Sequence, residues 1–142
     1  MPREARNPGE WGYLHLIARG IGKQILFEEK ADFLHFLHLL KRFGDETNVA
    51  ICAYCLMDNH FHLLVYDPAF SSPLFMKKLE GTYAAYFNRK YERSGHLFQN
   101  RYKSKVIDSE DALITVLRYI LNNPRKAGIS SAAEYPWSSY QK

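Results

Sequence analysis

Two histidines separated by one phenylalanine, His60-Phe61-His62, stand in the stretch YCLMDNHFHLLVYD, residues 54–67, which is otherwise patterned like a β-strand. In a strand, residues two apart project from the same face, with Cα atoms about 6.5–7 Å apart. Two imidazoles at that separation can converge on one divalent ion, while Phe61 points the other way into a core. The same spacing also suits two polar positions on a solvated strand face, and short motifs match often by accident. The pair needs partners elsewhere in the chain before it implies chemistry.

Those partners are sought on the last amphipathic segment. Leu113, Val116, Leu117 and Ile120 recur at helical spacing, with Ser109 as an N-cap and Glu110 and Asp111 in the first turn. Tyr119 and Asn123 lie on one flank of that stripe, four residues and about 6 Å of rise apart. Each has a plain structural reading, Tyr119 as a half-buried aromatic and Asn123 as a helix stop before Pro124. Presented together by a helix covering the face of His60 and His62, they would supply a phenol nucleophile and a third metal ligand.

A third group, GHLFQNRYKS (95–104), mixes Gln99, Arg101, Tyr102 and Lys103 with apolar Leu97 and Phe98. Basic side chains meet phosphates and aromatic faces stack bases, which suits single-stranded or hairpin DNA. A solvated loop edge over buried Leu97 and Phe98 is the alternative. Arg19, at the end of the first strand, is a further candidate phosphate contact. His15, on that strand, is read as structural or as a support for a metal ligand. His35, His38 and His96 are given no catalytic part.

The elements that must position these residues follow from periodicity and turn chemistry. GYLHLIARG (12–20) alternates as a first strand. Apolar residues from Phe33 to Phe43 recur at helical spacing, with Gly44 as the expected stop. NVAICAYCLM (48–57) and HFHLLVY (60–66) flank Asp58-Asn59 as a hairpin. A helix from Leu74 to about Tyr91, a strand at SKVID (104–108) and a helix running to Asn122, before Pro124 and Gly128, complete the chain. Strands bunched as hairpins argue for an α+β fold. A ferredoxin-like, RRM-like βαββαβ antiparallel sheet covered by helices fits best.

At 142 residues the chain suits a single domain over 1–142, burying roughly two-thirds of its unfolded surface. Nineteen Lys and Arg against fifteen Asp and Glu give a net charge of +4. The excess concentrates between Lys77 and Lys105, the expected phosphate footprint. Cys52 and Cys55 are three apart, hence on opposite strand faces, and have no second pair to complete a metal site. They are read as buried thiols. No apolar run reaches signal-peptide or membrane-spanning length, so a cytoplasmic protein without a membrane partner is expected.

CLMDNHFHLLV, YFNRKYERSGHLFQNRYKSKVID, YILNNPRKAG and YPWSSY together resemble the HUH single-tyrosine transposases of the IS200-like class, most closely the REP-associated tyrosine transposases. The resemblance runs from LIARG to PWSSY in motif order as well as content. It implies that His60 and His62 form the histidine-hydrophobic-histidine metal motif, that Tyr119 is the catalytic tyrosine and that Asn123 is a further ligand. It implies Mg²⁺ or Mn²⁺ as cofactor and attack of Tyr119 on a DNA phosphodiester, giving a 5′-phosphotyrosine and a free 3′-hydroxyl. A free tyrosine phenol titrates near 10, so its deprotonation needs assistance. Asp58 departs from the proline many relatives carry in this turn, and adds a carboxylate near the proposed metal. Relatives include monomers and homodimers, the tyrosine completing its own site or a partner's. A domesticated, non-catalytic binder of hairpin DNA or RNA on the same platform is the alternative function.

Overall fold

The computed structural model describes residues 11–126 and 135–139. The order is β1 (Tyr13–Arg19), α1 (Lys30–Thr47), β2 (Ala50–Leu56), β3 (His60–Tyr66), α2 (Ser72–Lys90), β4 (Lys103–Ile107), α3 (Glu110–Leu121) and a short turn of helix, α4 (Asn123–Lys126). The four strands form one antiparallel sheet in the order β2-β3-β1-β4. This is the expected α+β architecture, with the histidine strand at the centre of the sheet.

Strand alternation divides the core in two. Leu14, Leu16, Ala18, Tyr54, Leu56, Phe61, Leu63 and Val65 face α1 and α2, where Phe36, Leu39, Phe43, Phe75, Leu79, Tyr83 and Phe87 complete the larger core. Burying a ring such as Phe36 or Phe61 contributes about 1.5–3 kcal/mol. On the other face Ala53, Cys55, Met57, Leu64 and Ile107 pack with Ile120 of α3 and Tyr135. His60, His62 and His15 belong to this second face by the same alternation, so Phe61 points away from them as its position in the motif requires.

Several local expectations are corrected. Gly44 does not end α1, which continues to Thr47 and stops at Asn48 in the left-handed region, φ 58°. Glycine is needed at 44 for a different reason: a Cβ there would lie 2.9 Å from the Val49 carbonyl oxygen as the chain turns back into β2. Cys52 is exposed rather than buried, because the register shift between Ile51 and Ala53 leaves it as an extra residue on the edge strand. Cys55 is buried, as expected. Pro124 does not end helical structure but sits in the first turn of α4. Gly128 lies outside the described residues.

The basic run from Lys77 to Lys105 does not form one patch. Lys77 and Lys78 ride on α2, on the far side of the sheet, whereas Lys103 and Lys105 alternate onto the histidine face. No helix among the described residues is long and apolar enough to cross a membrane.

Candidate active site

The turn that presents His60 is held from outside. The backbone N–H of Gly20 donates to the Asn59 carbonyl at 2.9 Å, and that of Leu26 to the Asp58 carbonyl at 2.6 Å. A Cβ at Gly20 would fall 2.1 Å from the Gln24 carbonyl oxygen, so only glycine allows this loop to close against the turn. Asn59 is thereby fixed, and its side-chain Oδ1 lies 2.8 Å from His60 Nδ1. An amide oxygen only accepts, so this contact calls for a proton on Nδ1 of His60.

His62, 1 % exposed, lies on β3 in register with Ile17. Its Nδ1 is 3.1 Å from Nε2 of His15, which reaches across diagonally from β1. The two rings stack with centroids 5.3 Å apart. Burial, joined by the neighbouring His15, His60, Arg19 and Lys105 charges, pushes His62 down to about 3. Burial and Lys105 likewise push His15 down to about 4. Both rings are neutral at pH 7, as a metal ligand and a hydrogen-bond acceptor must be. His60 is shifted downward too, mainly by burial, with Asn123 and Asp58 opposing.

Helix α3 brings the other candidates to these rings. Its Ser109 Oγ accepts from the Ala112 N–H at 3.1 Å, capping the helix as the sequence predicts. Ile120 is fully buried, and Leu113, Val116 and Leu117 pack beside it. Docking that stripe sets the positions of its neighbours. The Tyr119 ring stands edge-on to His62 at 5.4 Å and to His15 at 6.1 Å between centroids. Asn123, just past the helix, is buried, with Nδ2 3.4 Å from His62 Nε2. The four predicted residues His60, His62, Tyr119 and Asn123 thus converge within one chain.

The donor set suits a divalent cation. The His60 and His62 rings lie 5.3 Å apart beside the neutral Asn123 amide, and both Nδ1 atoms are already engaged outside the site. Among the described residues there is no cluster of three or more His, Cys, Asp or Glu able to hold a metal. Three donors, two imidazoles and one amide oxygen, would leave coordination positions for phosphate oxygens and water.

The remaining predicted contacts divide. The N–H of Gln99 donates to the Arg19 carbonyl at 2.8 Å, which draws the chain entering β4 alongside the end of β1. Arg19, Gln99, Arg101 and Lys103 then line one shallow cleft of about 90 Å³. Tyr102 is not among them. It alternates to the opposite face and packs against the larger core, its hydroxyl buried without a hydrogen-bond partner among the described residues. Sequence reasoning counted Lys105 in the basic run without singling it out; it pairs in register with His15 and is exposed beside the site. Period-two alternation from Lys103 would have singled it out. Asn59 was missed, visible only once the turn geometry was known.

Comparisons with known proteins agree with this fold. The family profile described as transposase IS200 like matches residues 11–123. A REP-associated tyrosine transposase, solved bound to a REP hairpin, matches with a TM-score of 0.81 and 16% identity, over 99% of this chain and 84% of that one. A candidate transposase from Deinococcus radiodurans R1 matches with a TM-score of 0.56 and 23% identity, over 85% and 97%. At these identities the two structures speak for the fold alone. No curated protein sequence matches.

Proposed function

The chain belongs to the IS200-like transposase family, and from that premise we propose that it cleaves and rejoins single-stranded DNA bearing a hairpin, through a 5′-phosphotyrosine on Tyr119. The observation that carries the reading is the convergence of the Tyr119 ring, the His60 and His62 imidazoles and the Asn123 amide on one sheet face. His60, His62 and Asn123 would hold Mg²⁺ or Mn²⁺. That ion, when bound, would polarise the scissile phosphate and offset the negative charge developing on it.

The chain's own groups do the rest. Tyr119 gives up its phenolic proton to solvent and delivers its oxygen to phosphorus, a new O–P bond forms, and the bond from phosphorus to the 3′-oxygen breaks. The departing oxygen takes up a proton and leaves as a 3′-hydroxyl. One phosphoester is exchanged for another, so a later 3′-hydroxyl can attack the phosphotyrosine and reseal the strand without ATP. Arg19, Arg101, Lys103 and Lys105 lie on the open side of the same face, where the phosphates flanking the scissile one would run. A hairpin-bearing substrate is supported by the similarity in fold to a transposase solved on a REP hairpin.

The test is covalent capture of a labelled single strand carrying a short hairpin, with Mg²⁺ or Mn²⁺ present. A denaturation-resistant adduct is expected with the natural chain and none with Tyr119→Phe, while hairpin binding persists in both. An adduct from the Phe variant would remove Tyr119 from its role. Binding without metal-dependent cleavage in the natural chain would favour the non-catalytic binder.

A further inference from the structure

We infer that His15 is a positioning residue, accepting the Nδ1 proton of His62 and so holding that imidazole in the tautomer whose Nε2 faces Asn123 and Tyr119. The inference deepens the reading above and rests on it for its consequence, though not for its geometry.

Three contacts constrain the protons. The amide nitrogen of Asn123, 3.4 Å from His62 Nε2, can only donate, so Nε2 accepts. A neutral imidazole with Nε2 accepting has its proton on Nδ1. The atom facing that proton is Nε2 of His15, at 3.1 Å, which must therefore present a lone pair. With the amide nitrogen of Asn123 toward His62, the chain of hydrogen bonds runs in one direction, from Asn123 to His62 to His15.

His60 is treated in the same way by a different residue. Its Nδ1 faces Asn59 Oδ1, so the Nδ1 atoms of both candidate ligands have partners outside the site. Outer partners of this kind fix ring orientation and raise the basicity of the inward nitrogen. His15 suits the task because it is 4 % exposed, stacked on His62 and directly across β1–β4 from Lys105, whose ammonium disfavours a second cation at that position. Its ring is also in edge contact with Tyr119, so one side chain braces a ligand and the nucleophile together.

Two variants separate the acceptor from the bulk of the ring. His15→Gln can return an oxygen to the position of Nε2, whereas His15→Leu fills space without accepting. Nitrogen NMR of the metal-free protein reads the His62 tautomer directly, and titration with Mn²⁺ followed by electron paramagnetic resonance reads affinity. We expect Nδ1–H on His62 in the natural chain and in His15→Gln, with mixed or reversed protonation in His15→Leu. Mn²⁺ affinity should fall about 10–100-fold in His15→Leu and stay within about threefold in His15→Gln. An Nε2–H tautomer in the natural chain overturns the inference, as does a Gln variant as impaired as Leu. If the natural chain binds no Mn²⁺ at all, the metal-assisted reaction falls, while the tautomer comparison still decides the role of His15.

Discussion

Neutralising Arg19, Arg101, Lys103 and Lys105 together, each to Gln, should remove most of the salt dependence of DNA binding without unfolding the protein. All four are exposed; Arg19, Arg101 and Lys103 line the cleft at one end of the β1–β4 pair, and Lys105 lies midway along it on the histidine face. Each lysine or arginine that neutralises a phosphate on a single strand contributes about 0.7 to the slope of log K against log salt. Four contacts therefore contribute about 2.8. Between about 50 and 200 mM salt the natural chain should lose about 50-fold more affinity than the variant through these contacts alone.

Fluorescence anisotropy with a tailed hairpin, repeated across that salt range, measures the slope. A matched control neutralises Lys41, Arg42, Lys77 and Lys78, which lie on α1 and α2 beyond the opposite face. Lys41 and Arg42 are already paired with Asp45 and Glu46, and Lys78 with Glu46, at 3.5–3.7 Å. The control removes the same net charge, so a general field effect would change both slopes alike. Equal slopes in the two quadruple variants would refute the assignment of the β1–β4 edge as the phosphate track.

Two further outcomes are expected. Burial pushes Glu80 up from 4.5 to about 7, so its folded pKa exceeds the unfolded one, and the fold loses stability as pH rises between those values. Glu80→Gln should match the natural chain near pH 4.5 and exceed it by about 3 kcal/mol above pH 7, read from urea melts at both pH values; an equal gap at both would refute the linkage. Because Tyr119 reaches His62 within its own chain, mixing a His60→Ala chain with a Tyr119→Phe chain should restore no adduct formation, and recovered activity would mean the helix is exchanged between copies.

The elements were largely legible because their signals are local. Alternation in β3, the stripe on α3 and the Ser109 cap each lie within a dozen residues, and together they place Tyr119 and Asn123 opposite the histidines. What was not legible depends on contacts across the chain. Gly44 carries a helix-stop signal, yet its function is to admit the Val49 carbonyl, and Asn48 provides the stop. The bulge that exposes Cys52 is a mismatch between two strands, absent from either alone. Tyr102 reads as a nucleic-acid contact by composition, but its place in the alternation turns it inward. Asp32, within the first turn of α1, accepts hydrogen bonds from Tyr86, Lys90 and Tyr91, residues more than fifty positions away. Burial alone would raise its carboxyl, and those bonds, with one from the Glu28 N–H, hold it down to about 2 instead.

The division of the sheet explains how one fold accommodates both a reactive centre and a polyanion. Helix α3 packs over β2 and β3, so it covers the half of the face that must exclude water around Ile120, Cys55 and Leu64. Ile107 of β4 and His15 of β1 also reach α3, but Arg19, Lys103 and Lys105 of the same two strands stay exposed. His15 lies at the boundary, buried among the site residues on one side and in register with Lys105 on the other. A helix displaced by one strand toward β4 would bury the lysines without partners, at a cost of several kcal/mol each. The position of α3 is thus constrained twice, by the apolar stripe it must cover and by the charges it must leave in water. Tyr119 sits at the edge between the two, with its ring against the histidines and 40 % of its surface still exposed to an incoming strand.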